Sequence, residues 1–143
     1  MTWVIDASVI LKWLLQDPST EPNTDIAVAV LNAVIDGKVE ILQPTHWLAE
    51  VAAVLARLSP STAANDVQRL ASLEFPISDD PAVMQRATQM AIESGQHVFD
   101  TLYHAVAIEH EDATLVTADD RYFAKAERYG RIARLSAWAP AQT

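Results

Sequence analysis

An acid opens an otherwise apolar helix in the segment Val98-Phe99-Asp100-Thr101-Leu102-Tyr103-His104-Ala105-Val106-Ala107. Its residues Phe99, Leu102, Tyr103 and Val106 recur at helical spacing, which predicts a stripe that faces the core. Asp100 therefore begins its helix beside buried surface. Such a carboxylate can serve simply as a helix cap by accepting a bond from a free backbone amide. Three further acids of this chain, however, occupy equally unusual positions.

Two of these acids follow predicted strands. The β-prone run Trp3-Val4-Ile5 ends in Asp6, and a helix is predicted over residues 9–15. Near the other end of the chain, the strand 114–117 leads directly to Ala118-Asp119-Asp120. Ligands of open α/β sheets bind beyond the carboxyl ends of the strands, so an acid at such an exit is well placed for chemistry. Capping of the following helix is the alternative for Asp6.

The third acid is Glu50, within a helix predicted from residue 45 to residue 58. Trp47, Val51, Val54 and Leu58 fall on one stripe of that helix, and Glu50 falls on the same stripe. An ionised acid on the core side of a helix is costly without a partner. The alternative is a boundary position from which the side chain reaches solvent.

The remaining pattern alternates strands with helices. Further strands are predicted over residues 39–42, 73–77 and 131–135, and helices are predicted to start at Thr24-Asp25, Ser59-Pro60-Ser61 and Asp79-Asp80-Pro81. The connections are long enough for crossovers, which favours a mostly parallel central sheet with helices on both faces, a three-layer α/β/α sandwich. Asp6 and Asp119 then share one sheet edge.

Length and composition indicate one domain over residues 1–143, since half of the residues are hydrophobic. No apolar run reaches the roughly 18 residues of a membrane span. The chain opens on a strand without a basic leader, which predicts a cytoplasmic protein. The absence of cysteine excludes disulfides and thiolate metal sites. His97 and His104 lack the paired spacing of a zinc helix and are predicted to be structural.

The charge balance is unusual for a protein that binds nucleic acid. The formal net charge is -9, which repels RNA and DNA on average. The basic residues Arg121, Lys125, Arg128, Arg131 and Arg134 nevertheless cluster in the last quarter. The first three are spaced to lie on one helix face, where they could meet phosphates. A solvated helix face is the alternative.

Asp100 and Glu50 can converge on the edge that carries Asp6 and Asp119 if their helices flank the crevice. Two carboxylates about 5 Å apart repel by roughly 3 kcal/mol at an effective dielectric near 20, so something cationic must offset them. The sequence pattern suggests no buried lysine or arginine partner. With no cysteine and no histidine pair, the hard ions Mg²⁺ and Mn²⁺ are the natural candidates.

Four segments carry a resemblance to a known family. Val4-Ile5-Asp6-Ala7-Ser8, Trp47-Leu48-Ala49-Glu50-Val51, Asp100-Thr101-Leu102-Tyr103 and Leu115-Val116-Thr117-Ala118-Asp119 resemble, in order and spacing, the acidic motifs of PIN-domain ribonucleases. The likeness is greatest to VapC-type toxins of toxin-antitoxin pairs, and it covers essentially the whole chain. It implies a helix-flanked sheet, a Mg²⁺- or Mn²⁺-dependent endoribonuclease, a homodimer and a VapB-like antitoxin partner.

The resemblance also implies residue roles. Asp6 and Asp100 match the most direct metal ligands, and Glu50 and Asp119 complete the acidic set. Hydrogen-bonding support is implied for Ser8 and Thr117, which fits the need to orient ligating carboxylates. Asp120 follows Asp119 directly and is a second candidate for the fourth acid, although the Thr-Ala-Asp order favours Asp119. RNA contact is left to the metal and to the stripe Arg121, Lys125 and Arg128.

Two other functions are alternatives on the sequence. A receiver-like phosphoacceptor also places an Asp after a strand, but it needs an acid pair there, and Asp6 is followed by Ala7-Ser8. The stronger alternative is a catalytically weak PIN scaffold that acts mainly as a protein-binding module, because the negative surface disfavours RNA.

Overall fold

The computed structural model describes residues 1–17 and 19–138. Its strands are β1 (Thr2–Ile5), β2 (Glu40–Ile41), β3 (Gln43–Pro44), β4 (Ile77–Ser78), β5 (Ala113–Thr117) and β6 (Ile132–Arg134). Its α-helices are α1 (Ala7–Leu14), α2 (Thr24–Ile35), α3 (Trp47–Leu58), α4 (Ala63–Ala71), α5 (Pro81–Ser94), α6 (Val98–Glu109) and α7 (Asp120–Ala126). None of these helices has the length and hydropathy needed to cross a bilayer.

A four-stranded parallel sheet with the order β2-β1-β5-β6 forms the centre of the fold. β1 runs beside β5 with Thr2 opposite Ala113 and Ile5 opposite Val116. Consecutive residues of β1 are buried, including Val4 and Ile5 at 0% exposure, so helices cover both faces of the sheet. This confirms the predicted α/β architecture with a mostly parallel sheet. The prediction of one domain over residues 1–143 stays a prediction.

A second, two-stranded parallel sheet joins β3 to β4. The predicted strand 39–42 is therefore shorter, because the chain leaves the main sheet after Ile41 and pairs Gln43 with Ile77 instead. The predicted strand 73–77 is wrong in extent, since β4 begins at Ile77. Pro76 precedes β4, and its carbonyl accepts a bond from the Gln43 amide at 2.9 Å. A proline without an N–H is well suited to that place.

Three predicted helix starts need correction. α1 begins at Ala7 rather than at Val9. α3 begins at Trp47 rather than at Thr45. The start at Ser59-Pro60-Ser61 is wrong, because the Ser59 amide donates to Leu55 O and closes α3. α4 begins only at Ala63. The start at Asp79-Asp80-Pro81 is confirmed, since Asp80 caps α5 by accepting a bond from the Ala82 amide.

The two predicted apolar stripes are wrong at one residue each. Leu58 is 57% exposed and Phe99 is 52% exposed. Leu58 forms the last turn of α3, beyond the point where Leu55 still meets the core. Phe99 lies in the first turn of α6, and the buried face of that helix starts at Thr101. The capping alternative for Asp100 is also wrong, since His97 caps α6 by accepting a bond from the Phe99 amide.

His104 forms a buried polar network on α6. It is 0% exposed, and its Nε2 lies 2.7 Å from Gly130 O while its Nδ1 lies 2.9 Å from the Tyr122 hydroxyl. A carbonyl oxygen accepts only, so Nε2 carries the proton and Nδ1 accepts from Tyr122. The neutral imidazole therefore satisfies both of its nitrogens in the folded protein.

This network predicts a loss of stability in acid. Burial lowers the pKa of His104, whereas an unfolded histidine binds a proton below about pH 6.5. Because the unfolded state then binds more protons, the contribution of His104 is present at neutral pH and is lost as the pH falls through that region. We expect His104→Gln to flatten this loss in urea unfolding between about pH 7 and about pH 5. Equal pH slopes for parent and variant would contradict the network.

Candidate active site

Asp6 lies between the end of β1 and the start of α1. Its amide donates to Val116 O at 3.0 Å, and its carboxylate caps α1 by accepting from the Ser8 amide at 3.1 Å. The side chain is buried, and burial raises the pKa of Asp6 to about 7 against the effect of the two Ser8 hydrogen bonds. Repulsion from Glu50 and Asp100 raises it further. Asp6 is thus a helix cap and also a member of a group of acids.

Ser8 forms hydrogen bonds with the residues that follow the two central strands, β1 and β5. Its hydroxyl donates to Asp6 Oδ2, and its Oγ accepts the Ala118 amide at 3.0 Å. The predicted supporting position of Ser8 thus holds the Asp6 carboxylate and the loop before Asp119 at the same time.

Removal of the Ser8 hydroxyl should lower the stability of the folded protein. We expect Ser8→Ala to lower the free energy of unfolding by about 1–3 kcal/mol, because the part-buried Ala118 amide loses its acceptor. Urea unfolding measures the effect. Ser72→Ala is the matched control, since the exposed Ser72 hydroxyl donates within its own helix region, to Arg69 O. A Ser8→Ala variant as stable as the Ser72→Ala variant would show that the bridge contributes nothing.

Asp100 and Glu50 approach from two helices. Asp100 lies in the first turn of α6, and burial raises its pKa, with repulsion from Glu50 and Asp119 adding to the shift. Nearby His97 and His46 act in the opposite direction. The Glu50 side chain on α3 is 22% exposed, a boundary position that is turned towards the other acids.

Sequence reasoning missed two side chains that hold Glu50. The Tyr103 hydroxyl donates to Glu50 Oε1 at 3.3 Å, and His46 Nε2 lies 3.5 Å from Glu50 Oε2. His46 precedes Glu50 by one helical turn, a spacing that could have been noticed. The predicted core stripe of α6 includes Tyr103, and this residue is buried with 0% exposure.

Asp119 and Asp120 differ in their contacts. Asp119 caps α7 by accepting from the Tyr122 amide at 2.9 Å, and its own amide donates to Thr117 Oγ1 at 3.1 Å. Asp120 lies 3.2 Å from Arg134 Nε, a close ion pair that is not aligned as a hydrogen bond. Asp119 is the one whose charge acts on Asp100, whereas Asp120 is engaged with an arginine.

The acids from four separate segments thus form one electrostatic cluster. Asp6 is affected by Glu50 and Asp100, and Asp100 is affected by Glu50 and Asp119. Within residues 1–17 and 19–138, no ion pair joins a lysine or arginine to any of the four.

The donor chemistry of this cluster fits a hard divalent cation, because every carboxylate offers oxygen and burial makes uncompensated charge costly. In the part of the chain that the structure describes, no group of three or more histidine, cysteine or acidic side chains is already arranged to hold a metal. A cation would therefore have to draw the carboxylates closer together.

The predicted basic stripe is only partly a helix face. Arg121 and Lys125 are exposed on α7, but that helix ends at Ala126. Arg128 lies in the following 3-10 turn, where its guanidinium stacks 4.9 Å from the centre of the Tyr129 ring. The prediction of one continuous face is wrong for Arg128.

Comparisons with known proteins identify the family and the fold of this chain. The sequence profile described as PIN domain matches residues 3–129. A chain from the crystal structure of VapBC2 from Rickettsia felis, bound to a DNA fragment from their promoter, superposes with a TM-score of 0.66. The alignment covers 97% of this chain and 100% of that chain at 16% sequence identity, so together with the TM-score it shows a shared fold. The search of curated proteins gave no match.

Proposed function

Because this chain belongs to the PIN domain family, we propose that it is a Mg²⁺- or Mn²⁺-dependent endoribonuclease that hydrolyses RNA phosphodiester bonds. The observation that carries the proposal is that Asp6, Glu50 and Asp119 each lie close enough to Asp100 for their charges to act on one another, and that no lysine or arginine in the described residues forms an ion pair with any of the four acids. Acids arranged in this way favour a divalent cation.

Each residue has a proposed role. Asp6 and Asp100 would hold the ion directly, and Glu50 and Asp119 would complete the set. When bound, such an ion supplies a nucleophilic water at neutral pH and offsets the charge that grows on the phosphate. Ser8 keeps the Asp6 carboxylate oriented, and Thr117 fixes the backbone amide of Asp119, so the chain restrains two of the four proposed ligands, which would still have to close around an ion.

The biological setting is also a proposal. The fold likeness to a chain of VapBC2 supports the toxin of a VapBC-type pair. We propose a VapB-like antitoxin as its protein partner, a homodimer as its assembly and the cytoplasm as its location. Arg121 and Lys125, with Arg128 beside them, are the proposed contacts for RNA phosphates, because their exposed charges counter the net charge of -9 locally.

A manganese titration tests the proposed function. We expect Mn²⁺ to raise the melting temperature and RNA cleavage together, since an ion at 100 times its dissociation constant stabilises the folded state by about 2.7 kcal/mol. Measurement of both on the same samples separates the two candidate functions. Stabilisation without cleavage of any RNA would favour the protein-binding scaffold, for which the acidic surface is the specific observation.

A further inference from the structure

An exposed aromatic ring adjoins the acidic cluster. Phe99 is 52% exposed and directly precedes Asp100. Its carbonyl accepts a 2.8 Å bond from His46 Nε2, the same atom that lies 3.5 Å from Glu50 Oε2. The backbone that carries the Phe99 ring is therefore fixed to the side chains around two of the acids.

Two histidine rings flank Phe99. The His97 ring lies 4.7 Å from it between centroids and the His46 ring lies 5.2 Å from it. His97 is itself held in place, because its Nδ1 accepts the Phe99 amide at 3.0 Å. The His46 ring also packs on Tyr103, the buried partner of Glu50, with 4.8 Å between the ring centroids. The ring is thus held in position before any ligand arrives, which reduces the entropy cost of binding.

Phe99 is distinctive among the exposed side chains. Of the large hydrophobic residues that are exposed in the described parts of the chain, it is the one aromatic; the others are Met1, Ile35, Leu58, Leu73, Ile77, Met84 and Ile92. Its sequence neighbours Gln96, His97 and Asp100 are polar, and the apolar neighbour Val98 is partly buried against the core. A single flat ring with polar surroundings suits a single flat ligand better than a broad protein surface.

We propose that Phe99, flanked by His97 and His46, is a stacking platform for one unpaired RNA base next to the scissile phosphate. This inference rests on the proposed nuclease function and adds the residue that would hold one base of its substrate. An RNA nucleotide can stack on Phe99 only when its base is turned out of a helix, so the substrate region is single-stranded or looped. The neutral base is also the part of a nucleotide that surrounding acids repel least.

Phe99 variants test the platform on a short fluorescent single-stranded RNA that the parent cleaves. We expect Phe99→Leu to raise KM by roughly 5- to 150-fold, the range for the loss of one base-aromatic stack, with a smaller change in kcat. Phe99→Tyr keeps a stacking face and should stay near the parent. Ile92→Ala, which truncates an exposed apolar residue of α5, is the control for surface changes and should also match the parent.

A scan with abasic RNA identifies the stacked base. Removal of one particular base should weaken binding to the parent by the factor seen for Phe99→Leu and should cost the variant almost nothing, because the two changes remove the same contact. Equal abasic penalties in parent and Phe99→Leu, with unchanged KM, overturn the platform and leave the nuclease function standing. An altered oligomeric state by light scattering with unchanged RNA binding makes Phe99 a protein contact and also overturns the proposal.

A failure of the proposed nuclease function can be told apart from a failure of the stacking platform. If the parent cleaves no RNA, anisotropy with a mixed-sequence single-stranded RNA replaces KM in the same abasic scan. A base-dependent affinity that disappears in Phe99→Leu then supports the platform without the nuclease, and its absence overturns both.

Discussion

Asp6→Asn and Asp100→Asn are each expected to abolish RNA cleavage while the protein stays folded. Both side chains are proposed to bind the ion directly, so the loss should exceed the roughly 100-fold effect of removing an outer-shell partner. Asparagine keeps the shape and an accepting oxygen but lacks the charge. Because burial and repulsion already disfavour that charge in the metal-free protein, each variant should be at least as stable as the parent without metal.

A gel assay of RNA cleavage in matched Mg²⁺ or Mn²⁺ measures the first effect, and thermal unfolding in a chelator measures the second. Asp120→Asn is the matched control, since Asp120 neighbours Asp119 but pairs with Arg134. It should cleave RNA at close to the parent rate. Parent-like cleavage by Asp6→Asn or Asp100→Asn would refute the assignment, and loss of cleavage in Asp120→Asn would move the fourth ligand to Asp120.

The largest stability effect is expected for Gln43→Leu. Gln43 is 0% exposed, its Oε1 accepts the Ile5 amide at 2.7 Å, and its Nε2 donates to Ile5 O at 2.9 Å. The side chain thus replaces a neighbouring strand along β1, just before Asp6. Leucine has a similar size but leaves two buried backbone groups unpaired, which should cost roughly 2–6 kcal/mol.

Such a loss is a large share of the 5–15 kcal/mol that stabilises a typical domain. Urea unfolding measures it, and Gln85→Leu on the exposed face of α5 is the matched control. Because Ile5 precedes Asp6, we also expect weaker RNA cleavage in Gln43→Leu samples that remain folded. A Gln43→Leu variant within about 1 kcal/mol of the parent would show that the Ile5 groups find other partners.

Most of the fold could be predicted from the sequence, because the residue patterns that indicate strands and helices are local. β1 and β5 are long enough to show a β pattern, and an acid follows each within two residues, so both the parallel sheet and the edge that bears Asp6 and Asp119 were predictable. The small β3–β4 sheet was not, since strands of two residues have no periodicity. Its position depends on contacts of Gln43 with a strand far away in the chain.

The acids of the candidate site could be predicted from the sequence, but the residues that surround them were harder to predict. Spacing alone left Asp119 and Asp120 as alternatives, whereas their contacts differ, with Tyr122 for Asp119 and with Arg134 for Asp120. Phe99 fits an apolar helical stripe in sequence, but its side chain projects from the first turn of α6 before the buried face begins. The orientation of a terminal turn depends on tertiary packing, which periodicity does not report.

The pairing of β1 with β5 has a consequence for the timing of activity during synthesis. The ribosome makes β1 first, yet Thr2 meets Ala113, and Ser8 meets the loop before Asp119, only after most of the polypeptide has been made. A nascent chain that stops short of β5 lacks both the partner strand and the fourth acid. We therefore expect unfinished chains to be harmless to RNA, and cleavage to begin only after synthesis of the protein is nearly complete.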